Sequence, residues 1–249
     1  MIKQLKAVPR LLRVICIVLA ANFSGRGIKD CKARALWQQR GSKRVLAALG
    51  IKVCRHGDFP IRGLMVCNHL SYLDVLVIAS QGPVVFVSKS DVSDWPFIGN
   101  LLKHAGTILA YRNQPVKSAK TALEIKTALD RGLPVVFFPE GTSTSGETVK
   151  SFRSPFFQPA HDVSAKVTPA ALMYTSQNGD PGEDICYWGE HTFFTHFMKL
   201  TTIRGIVAHL NMGEMQPCLS DRKESAVYFH KEVSRLHSEL QSSHRIRTP

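Results

Sequence analysis

Four short apolar runs, each bounded by glycine, proline or charge, punctuate the first half of the chain: Leu64 to Cys67, Val84 to Val87, Thr107 to Ala110 and Val135 to Phe138. Runs of this length and composition predict buried β-strands. Between the last two, Ala122, Ile125 and Leu129 recur at helical spacing within Pro115 to Arg131, and Gly132 stands where a helix C-cap is expected. Strand, helix, strand of these lengths predicts a crossover connection. Near the C-terminus, Ala226, Phe229, Val233, Leu236 and Leu240 step by three and four, the signature of a helix with one apolar face. The polar stretch from Gln241 to Pro249 is expected to be disordered. No linker divides the 249 residues, so the pattern predicts a single α/β domain with a central mixed sheet flanked by helices.

The N-terminal region reads differently. Val14 to Phe23 is apolar but shorter than the roughly 20 residues that cross a bilayer, and Lys6, Arg10 and Arg13 precede it. A helix lying in a membrane interface, its cations snorkelling toward phosphates, fits this pattern. A secretory leader shares the basic start and apolar core, although no small-x-small cleavage site follows. An ordinary buried helix has the same length.

Charge sharpens the picture. The chain carries a net +13, and residues 1–62 hold 14 Lys and Arg against only Asp30 and Asp58. The remainder is almost neutral. Such a leader is attracted to an anionic bilayer surface. Its cations interleave with aliphatic residues rather than with stacking aromatics, which argues against nucleic acid as the partner. Residues 1–50 are therefore expected to form a basic, membrane-associating segment that includes this apolar helix, ahead of a domain over residues 51–240, with residues 241–249 as the tail. The six cysteines show no paired spacing and no CxxC, as in a reduced, cytosolic setting.

Candidate chemistry begins directly after the first strand. The segment Asn68 to Asp74, NHLSYLD, sets His69 five residues before Asp74. Imidazole titrates near neutrality, so His69 can take a proton from an attacking hydroxyl while a carboxylate fixes its tautomer. A helix-start histidine with a solvated acid on the next turn has the same spacing. Ser71 lacks the flanking glycines of a nucleophilic serine turn, so the expected nucleophile is a substrate hydroxyl.

Four blocks in order, NHLSYLD, then Pro83 to Arg112, then Phe138 to Thr142 (FPEGT), then Val167 to Pro169, resemble the 1-acyl-glycerol-3-phosphate acyltransferase family of glycerolipid and lysophospholipid acyltransferases. That resemblance covers roughly residues 60–175. It implies catalytic roles for His69 and Asp74, with Ser71, Arg112, Glu140, Gly141, Thr142 and Ser143 binding substrate, and a final block that is a strand ending in proline. It also implies a helix over Tyr72 to Ser80. The co-substrate would be acyl-CoA or acyl-ACP, with no bound cofactor and no metal, and the acceptor a lysolipid at the cytoplasmic face of a membrane.

One departure bears on the acceptor. The family's usual third block continues FPEGTRS, with an arginine associated with the acceptor phosphate, and this chain has Ser143 there. A serine offers a hydrogen bond but no charge. Lys150 and Arg153 are the nearest substitutes in sequence, while Lys89 and Lys103 are further cations between the blocks. The expected acceptor is 1-acyl-glycerol-3-phosphate. Another lysophospholipid or a lyso-ornithine lipid is the alternative, and Tyr187 to Leu200 resembles in a general way the acyltransferases that finish ornithine lipids. Two other classes remain open, an acyl-thioester hydrolase acting through the same His and Asp, and a non-catalytic binder of anionic surfaces. The remaining histidines, His191, His196 and His237 among them, are read as structural or surface residues.

Overall fold

The structure, a computed structural model, describes residues 7–95, 98–111, 115–219 and 221–245. Its centre is an eight-stranded mixed sheet. In chain order the strands are β1 (Lys52–His56), β2 (Leu64–Cys67), β3 (Val85–Lys89), β4 (Ile108–Ala110), β5 (Val135–Phe137), β6 (Lys166–Thr175), β7 (Val207–Met212) and β8 (Gln216–Pro217). They lie in the order β1-β7-β6-β2-β5-β3-β4, with β8 beside β6. All pairings are parallel except β6 with β7 and β6 with β8. The four apolar runs are all strands, within a residue or two of their expected ends.

Parallel strands are covered on both faces, which is why they read as unbroken apolar runs rather than alternations. Successive side chains still point to opposite sides. Met65 and Cys67 of β2 enter one core cluster, together with Phe86, Val136 and Leu172. Leu64 and Val66 enter the other, with Val85, Val135 and Val167. Helix α3 (Leu73–Gln81) covers the first face, and α5 (Pro115–Asp130) and the C-terminal α9 (Arg222–Arg245) cover the second. The five periodic apolar residues of α9 are all buried. Between α3 and α5, α4 spans Ile98–Ala105.

Helix α5 ends as its sequence predicts. Gly132 has φ of 73° and donates to Leu129 O, and Leu133 N donates to Ala128 O, closing the last turn. The connection from β4 through α5 to β5 is the expected crossover, and it passes over β3 to reach its place beside β2.

Two expectations change. Residues 241–245, expected to be disordered, continue α9 through Arg245. The fourth block does not end its strand, since β6 runs on past Pro169 to Thr175. Proline is accommodated there because β7 pairs only from Ala170 onward and β8 only with Lys166 and Val167, so the missing N–H falls between the two antiparallel partners.

The basic leader is two helices, α1 (Ala7–Ser24) and α2 (Cys31–Leu49). Asp30 caps α2 by accepting from Ala33 N at 2.7 Å, and Gly50 closes it with φ of 73°. Leu46 and Leu49 enter the core beside α3, so α2 is part of the folded body. Helix α1 is held on one side only. Val14 joins the core, and Arg10 donates to Thr201 O at 3.1 Å and to Ile203 O at 2.8 Å. On the opposite side Val8, Leu12, Ile15, Leu19 and Phe23 form one stripe, each 42% to 74% exposed. By length and composition α1 is apolar enough to cross a membrane.

Candidate active site

Ligand sites in parallel sheets gather where strands deliver loops at their carboxyl ends. Adjacent strands β2 and β5 do so here, bringing His69 and the loop after Phe138 together. The turn is fastened first by Asn68. Its amide donates to Leu172 O at 3.0 Å and its carbonyl oxygen accepts from Leu172 N at 2.7 Å. A side chain thus adds one more rung to the β2–β6 ladder, and the chain is free to turn away at His69.

Asp74 opens α3 and is completely buried. Its Oδ2 accepts from His69 Nδ1 at 2.7 Å, from Leu70 N at 2.6 Å and from Ser71 N at 2.9 Å, and its Oδ1 accepts from Tyr174 Oη at 2.6 Å. A buried carboxylate is costly unless paired and hydrogen-bonded, and four donors meet that need. Tyr174 is buried on β6, where burial and the neighbouring Asp74 charge push its hydroxyl well above the usual tyrosine range. It therefore keeps its proton and acts as a donor.

With Nδ1–H committed to an acceptor-only carboxylate, the tautomer assigned by the network leaves the lone pair on Nε2. That nitrogen has no protein hydrogen bond among the described residues, and the His69 side chain is 23% exposed. The ring stacks on Phe138 with centroids 4.2 Å apart and planes at 14°. Position and rotation are therefore both set, as a base facing a bound hydroxyl requires.

The FPEGT loop grips the backbone of the same histidine. Glu140 is buried, its Oε1 accepting from His69 N at 2.6 Å and its Oε2 from Lys150 N at 2.8 Å. Burial pushes the Glu140 carboxyl above its ordinary value, against the opposing effect of these two N–H donors and of His69. Thr144 N donates to His69 O at 3.0 Å. Both backbone polar groups of His69 are thus held by one loop.

The residues expected to bind substrate divide. Thr142 and Gly141 lie on the accessible arc between Glu140 and Thr144, and Gly141 has φ of 68°. Glu140 has each carboxylate oxygen on a backbone N–H and serves as a clamp. Ser143 turns away, its hydroxyl donating to Tyr187 O. Ser71 is fully buried and its hydroxyl has no partner among the described residues, so its backbone N–H on Asp74 is its contribution to the site. Arg112 lies outside the described residues.

Tyr174 carries no local signal, and Asn68, although it opens the NHLSYLD block, gives no sign of its partner on β6. The segment after β6 packs on the site as well. That segment includes α7 (Pro181–Asp184) and α8 (Phe193–Leu200). Tyr187 N donates to Leu70 O at 2.7 Å, laying the segment along the histidine turn. Tyr72 packs edge-on against Tyr187, Phe193 and His196. His196 is buried, contacting Tyr72 Oη at 3.1 Å and Cys186 O at 3.0 Å. Burial, reinforced by His191, pushes its imidazole below the ordinary histidine range. Among the described residues no group of three His, Cys, Asp or Glu is placed to hold a metal ion.

A carboxylate-oriented histidine at the carboxyl end of a parallel strand, with no protein nucleophile hydrogen-bonded to its Nε2 among the described residues, is suited to take a proton from a bound hydroxyl. The acyltransferase family model matches residues 51–173. A 1-acyl-sn-glycerol-3-phosphate acyltransferase of Neisseria meningitidis is 33% identical over 198 residues, covering 74% of this chain and 76% of that protein. A lyso-ornithine lipid O-acyltransferase of Pseudomonas aeruginosa is 30% identical, covering 74% and 71%. Another, of Rhodobacter capsulatus, is 32% identical over 64% of this chain but only 59% of its own length, less than two thirds. The crystal structure of the 1-acyl-sn-glycerophosphate acyltransferase of Thermotoga maritima shares the fold, with a TM-score of 0.65 over 93% of this chain and 98% of that one at 17% identity. The protein is an acyltransferase. It belongs to the glycerolipid and lysophospholipid acyltransferase family.

Proposed function

We propose that this enzyme transfers a fatty acyl group from acyl-CoA or acyl-ACP to the hydroxyl of a lysolipid at the cytoplasmic face of a membrane. The observation that carries it is the 2.7 Å contact from His69 Nδ1 to the buried Asp74 carboxylate, with Nε2 left open. In the reaction, Nε2 accepts the proton of the acceptor hydroxyl as its oxygen attacks the thioester carbonyl. The tetrahedral adduct expels the thiolate, which takes the proton back from the imidazolium and leaves as a thiol. Asp74 stabilises the imidazolium between these steps. General-base assistance of this kind contributes about 10² to 10⁴ in rate.

The acceptor we favour first is 1-acyl-glycerol-3-phosphate, giving phosphatidic acid, in keeping with the Neisseria meningitidis relative's name. Ser143 favours a second, a lyso-ornithine lipid, the acceptor named for the Pseudomonas aeruginosa relative. Its hydroxyl is spent on Tyr187 O and supplies no charge to a phosphate. Membrane seating falls to α1, whose exposed stripe from Val8 to Phe23 enters the interface while Arg10 and Val14 hold the helix to the domain.

The test is transfer from radiolabelled acyl-CoA and acyl-ACP to lysophosphatidic acid, other lysophospholipids and lyso-ornithine lipid, with the lipid products separated. Labelled phosphatidic acid supports the first acceptor and labelled ornithine lipid the second. Free fatty acid alone, in the absence of any acceptor, would make the enzyme a thioester hydrolase.

A further inference from the structure

We infer that Arg153 is the residue that recognises the anionic head group of the acceptor; the assignment rests on the acyltransferase function proposed above. Arg153 follows the FPEGT loop in extended conformation, with φ of −82° and ψ of 124°. Its backbone N–H donates to Pro139 O at 2.9 Å, which anchors it to that loop. The preceding Phe152 packs into the core beside His230, so the alternation of an extended chain sends Arg153 to the other side. There the side chain lies against Gly141. A Cβ built on Gly141 would come within 2.9 Å of Arg153 Nε and 3.3 Å of Cζ, so the guanidinium lies directly against this glycine.

Gly141 adjoins Glu140, whose carboxylate holds the backbone N–H of His69. Arg153 is thus fastened to the arc that carries the catalytic turn. It is exposed, and among the described residues its guanidinium has no carboxylate within salt-bridge distance and no hydrogen bond to protein. Five N–H donors in a planar fork, unspent beside a lipid site, suit a phosphomonoester or a carboxylate equally. Those are the two anionic groups that a phosphate-headed or an aminoacyl lysolipid would present. Ser143 cannot take this role, because its hydroxyl is committed to Tyr187 O. Lys150 is linked to the site through its backbone N–H on Glu140, and its ammonium lacks the bidentate geometry.

The experiment compares Arg153→Gln, Arg153→Lys and Lys150→Gln with the parent enzyme on lysophosphatidic acid, lyso-ornithine lipid and uncharged monoacylglycerol. Loss of a charge-assisted contact should raise the KM for the anionic acceptor about tenfold to a hundredfold in Arg153→Gln. The KM for acyl-CoA, the kcat and the use of monoacylglycerol should change little. Arg153→Lys should recover part of the loss, and Lys150→Gln should resemble the parent. Equal losses on charged and uncharged acceptors, or a rise in KM for acyl-CoA instead, would overturn the assignment. If no lipid is acylated, the proposed function fails. Arg153 is then decided separately by lysophosphatidic acid titrated into the detergent-solubilised protein with tryptophan fluorescence as the readout. Binding weakened in Arg153→Gln keeps the assignment, and unchanged binding removes it.

Discussion

Replacing Tyr174 by phenylalanine removes one oxygen from a buried network without opening a cavity. The lost bond runs at 2.6 Å to Asp74 Oδ1, and no other hydrogen bond to that oxygen is made among the described residues. Asp74 is fully buried, so water cannot replace the hydroxyl without rearrangement. A hydrogen bond to a charged group contributes about 1.5 to 3 kcal/mol, and leaving its partner unsatisfied costs a similar amount. For a chain of this size that corresponds to a fall in Tm of about 3 to 12 °C. Turnover should suffer far less than stability, because Oδ2 keeps its three donors and with them the link to His69 Nδ1. Thermal unfolding followed by circular dichroism, paired with initial rates of acyl transfer at a temperature where both proteins are folded, separates the two effects. An unchanged Tm would refute the placement of Tyr174 on Asp74. So would a loss of turnover as deep as that of a His69 variant.

Glutamate at both Leu12 and Leu19 places charge in the middle of the exposed stripe of α1 while sparing Arg10 and Val14, and should move the protein from sedimenting liposomes to the supernatant. Unchanged sedimentation would locate the membrane contact elsewhere. Deleting α1 is a poorer experiment, since Val14 belongs to the core. Burial lowers the titration of His196 and His237, so the unfolded chain, with histidines near the ordinary 6.5, binds more protons than the folded one as the pH falls through that region. Stability should therefore be highest above about pH 6.5 and decline below it, and His237→Gln should flatten that decline in melts compared at several pH values. An equally steep decline in that variant would show that His237 takes no part.

How far the sequence foretold this molecule depends on the range over which each residue finds its partner. Strands β2, β3, β4 and β5 are apolar on both sides because helices cover both faces of a parallel sheet, and such runs are visible locally. Helix α9 is visible for the same reason, through its single buried face. Strand β1 escaped notice because its residues are mostly exposed and polar, Lys52, Arg55 and His56 among them. Helix α2, rich in Lys and Arg, contributes only Leu46, Leu49 and a few smaller residues to the interior.

The site divides along the same line. His69 and Asp74 lie five residues apart, within one turn and the start of one helix, and their contact could be expected from spacing. Tyr174 is a hundred residues from Asp74, and Asn68 is as far from Leu172. Nothing near Tyr174 marks it for its role, and the NHLSYLD block that contains Asn68 does not name Leu172 as its partner. Glu140 shows the converse. The family resemblance implies a substrate-binding role for Glu140, and only the fold discloses that both of its oxygens are occupied by backbone N–H groups. Ser143 is similar, since its hydroxyl meets a carbonyl 44 residues on.

The most direct test of the account is the rate of acyl transfer by His69→Ala, with circular dichroism confirming that the variant is folded. His69 contributes its ring through one hydrogen bond and one stacking contact, while its backbone stays clamped by Glu140 and Thr144, so the fold should survive. Turnover should fall by about 10² to 10⁴ on every acceptor the parent enzyme uses. A folded His69→Ala protein that transfers acyl groups within a few-fold of the parent rate would contradict the account.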